Sequence, residues 1–335
     1  MIVVTGATGH IGNVLVRKLQ ARGEKVRAVL PPGEDSSPLA GLKVEIVPGD
    51  VRDRQSLVHA FQGAEAVFHL AGIISILPGE EELLYKVNVQ GTENVIAACL
   101  HSGVKRLVFT SSIHALAELP HGTVIDETSP FDASRIVGEY GKTKCMATLK
   151  VLESVKNRGL EAIVVCPTGV IGPFDYKLSA TGKVIRDFIA RKLIAYIKGA
   201  YDFVDVRDVA AGLILAYEKG CSGQAYILSG ERITLAALLA ILEEETGIKY
   251  PRVELPLWLA HAAAAFTPYY YRLTKIKPYF TKYSLYLLTS NSLFSHEKAA
   301  RKLGYSPRPL RETLRDTAQW IKANFKAART AKGFN

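Results

Sequence analysis

The run Tyr140-Gly141-Lys142-Thr143-Lys144 carries the first chemistry legible in this chain. On a helix, the i,i+4 spacing puts the Tyr140 phenol and the Lys144 ammonium on one face. A free tyrosine, with a pKa near about 10, is a poor base at neutral pH. A neighbouring ammonium favours the phenolate and lowers that pKa by roughly 1 to 3 units. Tyr140 could then exchange a proton with a substrate alcohol or ketone while a serine hydroxyl binds the same oxygen. Such a serine precedes it, at the end of Leu107-Val108-Phe109-Thr110-Ser111-Ser112. Taken singly, a Tyr/Lys pair is a common surface motif and paired serines are ordinary turn chemistry. A third element in the right order gives them weight.

That element is the start of the chain. Ile2-Val3-Val4 reads as a buried strand, Thr5-Gly6-Ala7-Thr8-Gly9-His10-Ile11-Gly12 as a glycine turn, and Ile11 to Arg22 as a helix that stops at Gly23. Gly6 permits the sharp turn, Gly9 lets the backbone approach a pyrophosphate, and Gly12 lets helix and strand pack closely. The free amides of the helix start then face an anion. On the helix, Ile11, Val14, Leu15 and Leu19 share one apolar face.

Positioning these groups requires further strands. Lys25 to Leu30, Lys43 to Val47, Ala66 to Leu70, Leu107 to Thr110 and Ala162 to Cys166 read as strands with helical segments between them. The alternation predicts an α/β fold, a doubly wound parallel sheet with helices on both faces. The hydroxyls of Thr110, Ser111 and Ser112 then lie at the carboxyl end of a strand, the ligand edge of such a sheet. Gly49-Asp50-Val51-Arg52-Asp53 follows the third strand; one of its carboxylates could accept from an adenine amino group and the other cap the next helix.

At 335 residues, 48% apolar and 22% charged, the chain can bury a full core and is neither disordered nor fibrous in composition. Cys99, Cys145, Cys166 and Cys221 lie far apart and suggest neither a disulfide framework nor a zinc site; no metal is expected. A strand beginning at Ile2 leaves no room for a secretory leader, and no apolar run approaches the roughly 20 residues that cross a bilayer, so a cytoplasmic protein is expected.

The net charge of +10 is localised. Residues 1–250 hold 27 Lys and Arg against 28 Asp and Glu, whereas residues 251–335 hold 15 against 4. Within that quarter Leu255-Pro256-Leu257-Trp258-Leu259-Ala260-His261-Ala262-Ala263-Ala264-Ala265-Phe266 forms an apolar helix. Tyr269, Tyr270, Tyr271, Tyr279, Tyr283 and Tyr286 follow, with Arg272, Lys275, Lys277 and Lys282 among them. This is the make-up of a helix lining an apolar pocket, and also of an interfacial membrane segment, which sets peripheral membrane contact through about 255–288 beside the pocket reading. No nucleic-acid motif accompanies the charge.

The motifs quoted so far resemble, in content and order, the extended short-chain dehydrogenase/reductases of the NAD-dependent epimerase/dehydratase superfamily. His69-Leu70-Ala71-Gly72, Val87-Asn88-Val89-Gln90-Gly91-Thr92, Pro167-Thr168-Gly169-Val170-Ile171-Gly172-Pro173 and Phe203-Val204-Asp205-Val206-Arg207-Asp208-Val209-Ala210 extend the resemblance. With Asn291-Ser292-Leu293-Phe294-Ser295-His296-Glu297-Lys298-Ala299-Ala300-Arg301-Lys302-Leu303-Gly304-Tyr305 it is most similar to the dihydroflavonol reductase and 3β-hydroxysteroid dehydrogenase branch. The resemblance implies a Rossmann-type cofactor domain over 1–172 with a return segment near 203–230. A smaller, interleaved substrate-binding region would comprise 173–202 and 231–335.

It also implies roles. Tyr140 is the acid/base, Lys144 lowers its pKa and holds the nicotinamide ribose, and Ser112, in preference to Ser111, orients the reacting oxygen. Gly6, Thr8, Gly9, His10, Ile11, Gly12, Asp50, Val51, Ala71, Gly72, Asn88, Thr110, Pro167 and Val170 complete a cofactor site. The position after the second strand, which chooses the cofactor, is Pro31, followed by Pro32-Gly33-Glu34-Asp35. An acidic side chain there takes the ribose hydroxyls and a basic one the extra phosphate. His10 gives a slight lean to NADP over NAD. Ile113 and His114 stand where sugar-nucleotide dehydratases carry acidic residues, which argues against elimination chemistry. The expected activity is hydride transfer between nicotinamide and a ketone or secondary alcohol of an apolar or cyclic substrate, in a homodimer. A sugar-nucleotide 4-epimerase with retained NAD and a non-catalytic NAD(P) sensor are the alternatives.

Overall fold

In a computed structural model, residues 1–75, 79–274 and 282–330 are described, the side chains of 268–274 and 326–330 excepted. The apolar run Ile2–Thr5 is buried at every position, as a strand covered on both faces must be, and forms β1. The elements that follow are α1 (His10–Ala21), β2 (Val26–Leu30), β3 (Glu45–Pro48), α2 (Arg54–Ala60) and β4 (Ala66–His69). Then α3 (Glu81–Leu84) passes through a π-helical stretch, Tyr85–Gln90, into α4 (Gly91–His101), and β5 (Arg106–Thr110), α5 (Glu139–Arg158) and β6 (Ala162–Pro167) continue the alternation.

The second half contains β7 (Gly169–Ile171), α6 (Ala180–Ile189), β8 (Tyr196–Ile197), β9 (Ala200–Asp205), α7 (Val206–Lys219) and β10 (Ala225–Leu228). It closes with β11 (Glu231–Thr234), α8 (Leu235–Thr246), β12 (Glu254–Leu255), α9 (Leu257–Thr274), α10 (Lys282–Thr289), α11 (Glu297–Leu303) and α12 (Leu310–Thr330).

Seven strands form one parallel sheet in the order β3-β2-β1-β4-β5-β6-β10. The order reverses between β1 and β4, where Ile2 pairs with Val26 on one side and Ala66 on the other, and that reversal opens the crevice in which such sheets bind ligands. One face is covered by α1 and α7, burying Val4, Leu15, Phe68 and Leu213. The other is covered by α2, α4 and α5, burying Val3, Leu57, Phe109 and Val151. Each fully buried side chain of this kind contributes roughly 1.5 to 3 kcal/mol. The α/β, doubly wound architecture is therefore the one expected.

Beyond β6 the chain is more regular than its sequence suggests. β7, β9 and β11 form a small mixed sheet backed by α6, α8 and α12, around Ile185, Phe188, Leu242 and Leu314. β8 pairs with β12, and Ile197 packs beneath Ala260 and Ala264 of α9 and Leu285 of α10. Of the tyrosines noted above, Tyr283 and Tyr286 are on α10, while Tyr279 and the side chains of Tyr269, Tyr270 and Tyr271 lie outside the described residues, as do Lys275 and Lys277. Element ends shift by one or two residues. β3 begins at Glu45 instead of Lys43, and β5 begins at Arg106, whose guanidinium binds Glu161 and the Tyr217 carbonyl.

Candidate active site

The glycine turn packs as tightly as its sequence requires. Gly6 has φ of 71°, and a Cβ there would sit 2.7 Å from the Ala71 amide nitrogen; a Cβ on Gly12 would sit 2.1 Å from the Gly6 carbonyl oxygen. The helix that follows has Gly9 at its N-cap, no side-chain cap and no acidic residue in its first turn. Its leading amides are thus left for an external acceptor at the crevice, which fits a bound pyrophosphate. The Ala71 amide donates to Thr5 Oγ1 (3.2 Å), tying the β4 end to the same turn.

Several cofactor-site candidates also have partners within the protein. His10 Nε2 meets the Pro173 carbonyl oxygen at 3.0 Å, and burial lowers its pKa, so a neutral ring braces the turn and brings no charge to a phosphate. Both oxygens of Asp50 are engaged by Arg52, which holds the carboxyl below its ordinary range, so the acceptor expected for adenine is already paired. Asp53 caps α2 by accepting from the Gln55 amide. Val51 packs against Gly91, and its carbonyl accepts from Asn94. Ile11 and Val170 are half-buried against the sheet core.

Asn88 lies on the π-helical stretch, a geometry common at functional sites. Its amide donates to the Ile73 carbonyl and to Thr143 Oγ1 (both 3.1 Å) and its oxygen accepts from the Ile73 amide (2.9 Å). Thr143 in turn donates to the Tyr140 carbonyl (2.9 Å). Asn88 therefore clasps the Ala71-Gly72-Ile73 segment to the helix that carries Tyr140.

The three candidate catalytic residues converge at the carboxyl end of β5. Ser111 Oγ is occupied by Thr148 Oγ1 at 2.6 Å, whereas Ser112 Oγ accepts from the His114 amide (3.2 Å) on the side of Tyr140. Burial raises the Tyr140 pKa to about 12, and the neighbouring Ser112 hydroxyl opposes that rise. One turn on, Lys144 Nζ donates to the Thr110 carbonyl oxygen (2.6 Å) and lies 4.5 Å from the centre of the Phe109 ring. Burial pulls its pKa down to about 8. Thr110 Oγ1 is buried and has no hydrogen-bond partner among the described residues. Pro167 closes β6 on the same edge.

Two groups that spacing could not place complete the site. Beside Tyr140, His114 Nε2 meets the Tyr201 hydroxyl at 2.8 Å, and the Tyr283 ring stands 6.4 Å from His114. Burial holds His114 neutral, with its pKa lowered to about 4. These side chains and Ile113, Leu116 and Ile136 line a cavity of about 40 Å³. At the other end of the crevice, Thr8 Oγ1 donates to Glu34 Oε1 (2.8 Å), and Lys177 forms an ion pair with the same carboxylate.

The sequence model described as "NAD dependent epimerase/dehydratase family" matches residues 2–229. Among curated relatives, sterol demethylase protein B of Methylococcus capsulatus is 38% identical over 96% of this chain and 98% of its own. A putative dihydroflavonol 4-reductase of Synechocystis is 32% identical over 95% and 94%. The 3beta-hydroxysteroid-dehydrogenase/decarboxylase isoform 1 of Arabidopsis thaliana is 32% identical over 94% and 78%.

Proposed function

The chain belongs to the NAD-dependent epimerase/dehydratase family and is an NAD(P)-dependent oxidoreductase of its dihydroflavonol reductase and 3β-hydroxysteroid dehydrogenase kind; on that premise we propose that Ser112, Tyr140 and Lys144 reduce or form a ketone on an apolar, cyclic substrate. The observation that carries this assignment is the convergence of Ser112, Tyr140 and Lys144 at the carboxyl end of β5, with Lys144 Nζ held on the Thr110 carbonyl oxygen one helical turn from Tyr140. When bound, the nicotinamide supplies or accepts the hydride. In the reductive direction Tyr140 gives its proton to the substrate oxygen, turning the carbonyl into an alcohol, while Ser112 donates a hydrogen bond to that oxygen. In the oxidative direction that proton transfer reverses and Tyr140 receives the alcohol proton. The Lys144 charge stabilises the phenolate that Tyr140 becomes.

The leading amides of α1 and the close-packed Gly6, Gly9 and Gly12 would hold the pyrophosphate, with Ala71, Gly72, Thr110, Pro167 and Val170 along the rest of the cofactor. For its identity, Glu34 outweighs the lean that His10 suggested. A carboxylate beside Thr8 at the end of β2 suits the neutral ribose diol and would face the extra phosphate of NADP, so NAD is the proposed partner. The cavity beside His114 has apolar walls in Ile113, Leu116, Ile136 and Phe294 and polar ones in Glu118, Arg135 and Asn291, so the preference for an apolar ring system rests on the relatives. Those relatives are named for sterol and 3β-hydroxysteroid chemistry.

The test is a titration with NADH and NADPH followed by turnover on a panel of sterol ketones, flavanones and UDP-sugars. Cofactor-dependent reduction of a cyclic ketone, lost in Tyr140→Phe, is the expected result. Unchanged turnover in that variant would remove the mechanism, and UDP-sugar interconversion without added cofactor would make the protein an epimerase.

A further inference from the structure

Helix α9 is apolar on the wrong side for a helix that only lines a pocket. Its inward positions are Ala260 and Ala264, which rest on Ile197 and Leu285. Its large side chains face out: Trp258 is 72% exposed and Phe266 70%, with Leu259 beside them. The segments bordering it add Ile194, 84% exposed, and Val253, whose carbonyl bonds the Tyr196 amide where β8 meets β12. Scattered exposed apolar residues need no explanation, but bulky ones gathered on one helix and its two flanks do.

The surrounding charge selects what covers them. Between Glu254 and Glu297 the chain has no acidic residue, whereas it has Arg272, Lys275, Lys277 and Lys282. Among the described side chains, Lys192, Lys198 and Lys282 are exposed on the segments that flank α9, and Glu254 is the exposed carboxylate there. Exposed aromatic rings with cations around them match the interface of an anionic bilayer, which takes the rings into its headgroup layer and the ammonium groups at its phosphates. No helix among the described residues is long and apolar enough to cross a membrane, so α9 would lie along the surface.

The same helix is one residue layer from the reaction. Leu285 of α10 packs under α9, and on the next turns of α10 Tyr283 stands against His114 and Gly138 while Tyr286 bonds Glu118. The Tyr283 hydroxyl is buried with no hydrogen-bond partner among the described residues. The cavity these rings close, about 40 Å³, holds a few waters and no ring system. The rings of α10 thus stand between α9 and the His114 side of Tyr140.

We propose that the outer face of α9, with Trp258 and Phe266 as its anchors, docks on an anionic lipid bilayer, which would set α10 between an apolar substrate dissolved in that bilayer and Tyr140. The inference rests on the reading of the substrate as an apolar ring system. Because both anchors are exposed, Trp258→Ser with Phe266→Ser leaves the core and the catalytic groups intact. Full-length protein is sedimented with vesicles of phosphatidylcholine alone and of phosphatidylcholine with phosphatidylglycerol, at low and high salt. The parent should partition onto the anionic vesicles, more weakly at high salt, and the double variant should lose at least about tenfold of that partitioning. Turnover of a water-soluble cyclic ketone should be equal in the two proteins. Absence of vesicle binding by the parent, or equal binding by the variant, overturns the inference. A parent that is larger than the variant on a sizing column overturns it too, since a second copy would then cover the face. Turnover of the soluble ketone keeps the outcomes apart: a parent that ignores vesicles yet reduces the ketone sinks only the docking, whereas no turnover with either cofactor sinks the enzymatic reading.

Discussion

The Lys144 ammonium donates to the Thr110 carbonyl oxygen at 2.6 Å inside the protein, with the Phe109 ring beneath it. A buried cation on a backbone acceptor is held in place but poorly solvated, and burial accordingly lowers its pKa to about 8. Lys144 therefore changes charge near pH 8. As the pH rises past about 8 the ammonium is lost and reductive turnover should fall. Between pH 8 and the ordinary lysine value the unfolded chain binds more protons than the native one, so this group makes stability rise with pH. Lys144→Met should remove both trends, in a pH–rate profile and in denaturant midpoints measured from pH 8 to 10, and should lower turnover by about 10² or more.

Tyr140→Phe keeps the ring and removes the hydroxyl that would exchange the proton with substrate. Turnover should drop by about 10² to 10⁴ while the dissociation constant for NADH, read from nicotinamide fluorescence, stays within about threefold. Ser112→Ala should cost less, and Ser111→Ala should chiefly affect stability because its hydroxyl is spent on Thr148.

Glu34 is held by Thr8 and by Lys177, whose hydrogen bond is the largest cause of its lowered pKa. Glu34→Gln removes the negative charge and frees Lys177 to meet a phosphate. The ratio of NADPH to NADH affinity should rise by about five- to tenfold, a modest change because both side chains are partly solvated. An unchanged ratio would take cofactor choice away from this pair.

Acid should unfold the protein through its buried imidazoles. His69 is enclosed between Thr5 and Thr92, and burial brings its pKa down to about 3; His114 is lowered to about 4. Each native ring stays neutral while the unfolded ring takes a proton, so their contribution is complete above about pH 6.5 and is lost as the pH falls toward the native values. Each should withdraw about 2 kcal/mol between pH 6.5 and pH 5, measurable as a fall in the urea midpoint. His69→Gln should be less stable at pH 7 but flatter in acid.

Gly138 has φ of 86°, and a Cβ there would lie 2.3 Å from the Tyr283 ring. Gly138→Ala should push Tyr283 off the cavity and strain the start of α5, raising KM for a cyclic ketone more than it lowers cofactor affinity.

Local sequence carries the parts of this protein that depend on local physics. The uninterrupted apolar β1, the glycines that alone fit the turn, and the Tyr140/Lys144 pair on one helical face follow from periods and sterics that act over a few residues. The order of those motifs then sufficed for the sheet and for the convergence on β5, because parallel strands place their carboxyl ends on one edge. The Ser111 hydroxyl is spent on Thr148 of α5, a contact that its own neighbours in the sequence do not announce. What the chain could not announce are contacts between segments distant in sequence. His114 meets Tyr201 because β9 of the small sheet passes beside the stretch after β5, and Glu34 meets Lys177 because the stretch after β7 folds back over the glycine turn. From that same stretch the Pro173 carbonyl meets His10, and Arg52 pairs with Asp50 beyond β3. The direction in which α9 faces was equally hidden: its composition suits either a pocket wall or a surface helix. Only packing, with small Ala260 and Ala264 inward and Trp258 and Phe266 outward, decides between them, because a helix buries whichever face lets its neighbours approach closely.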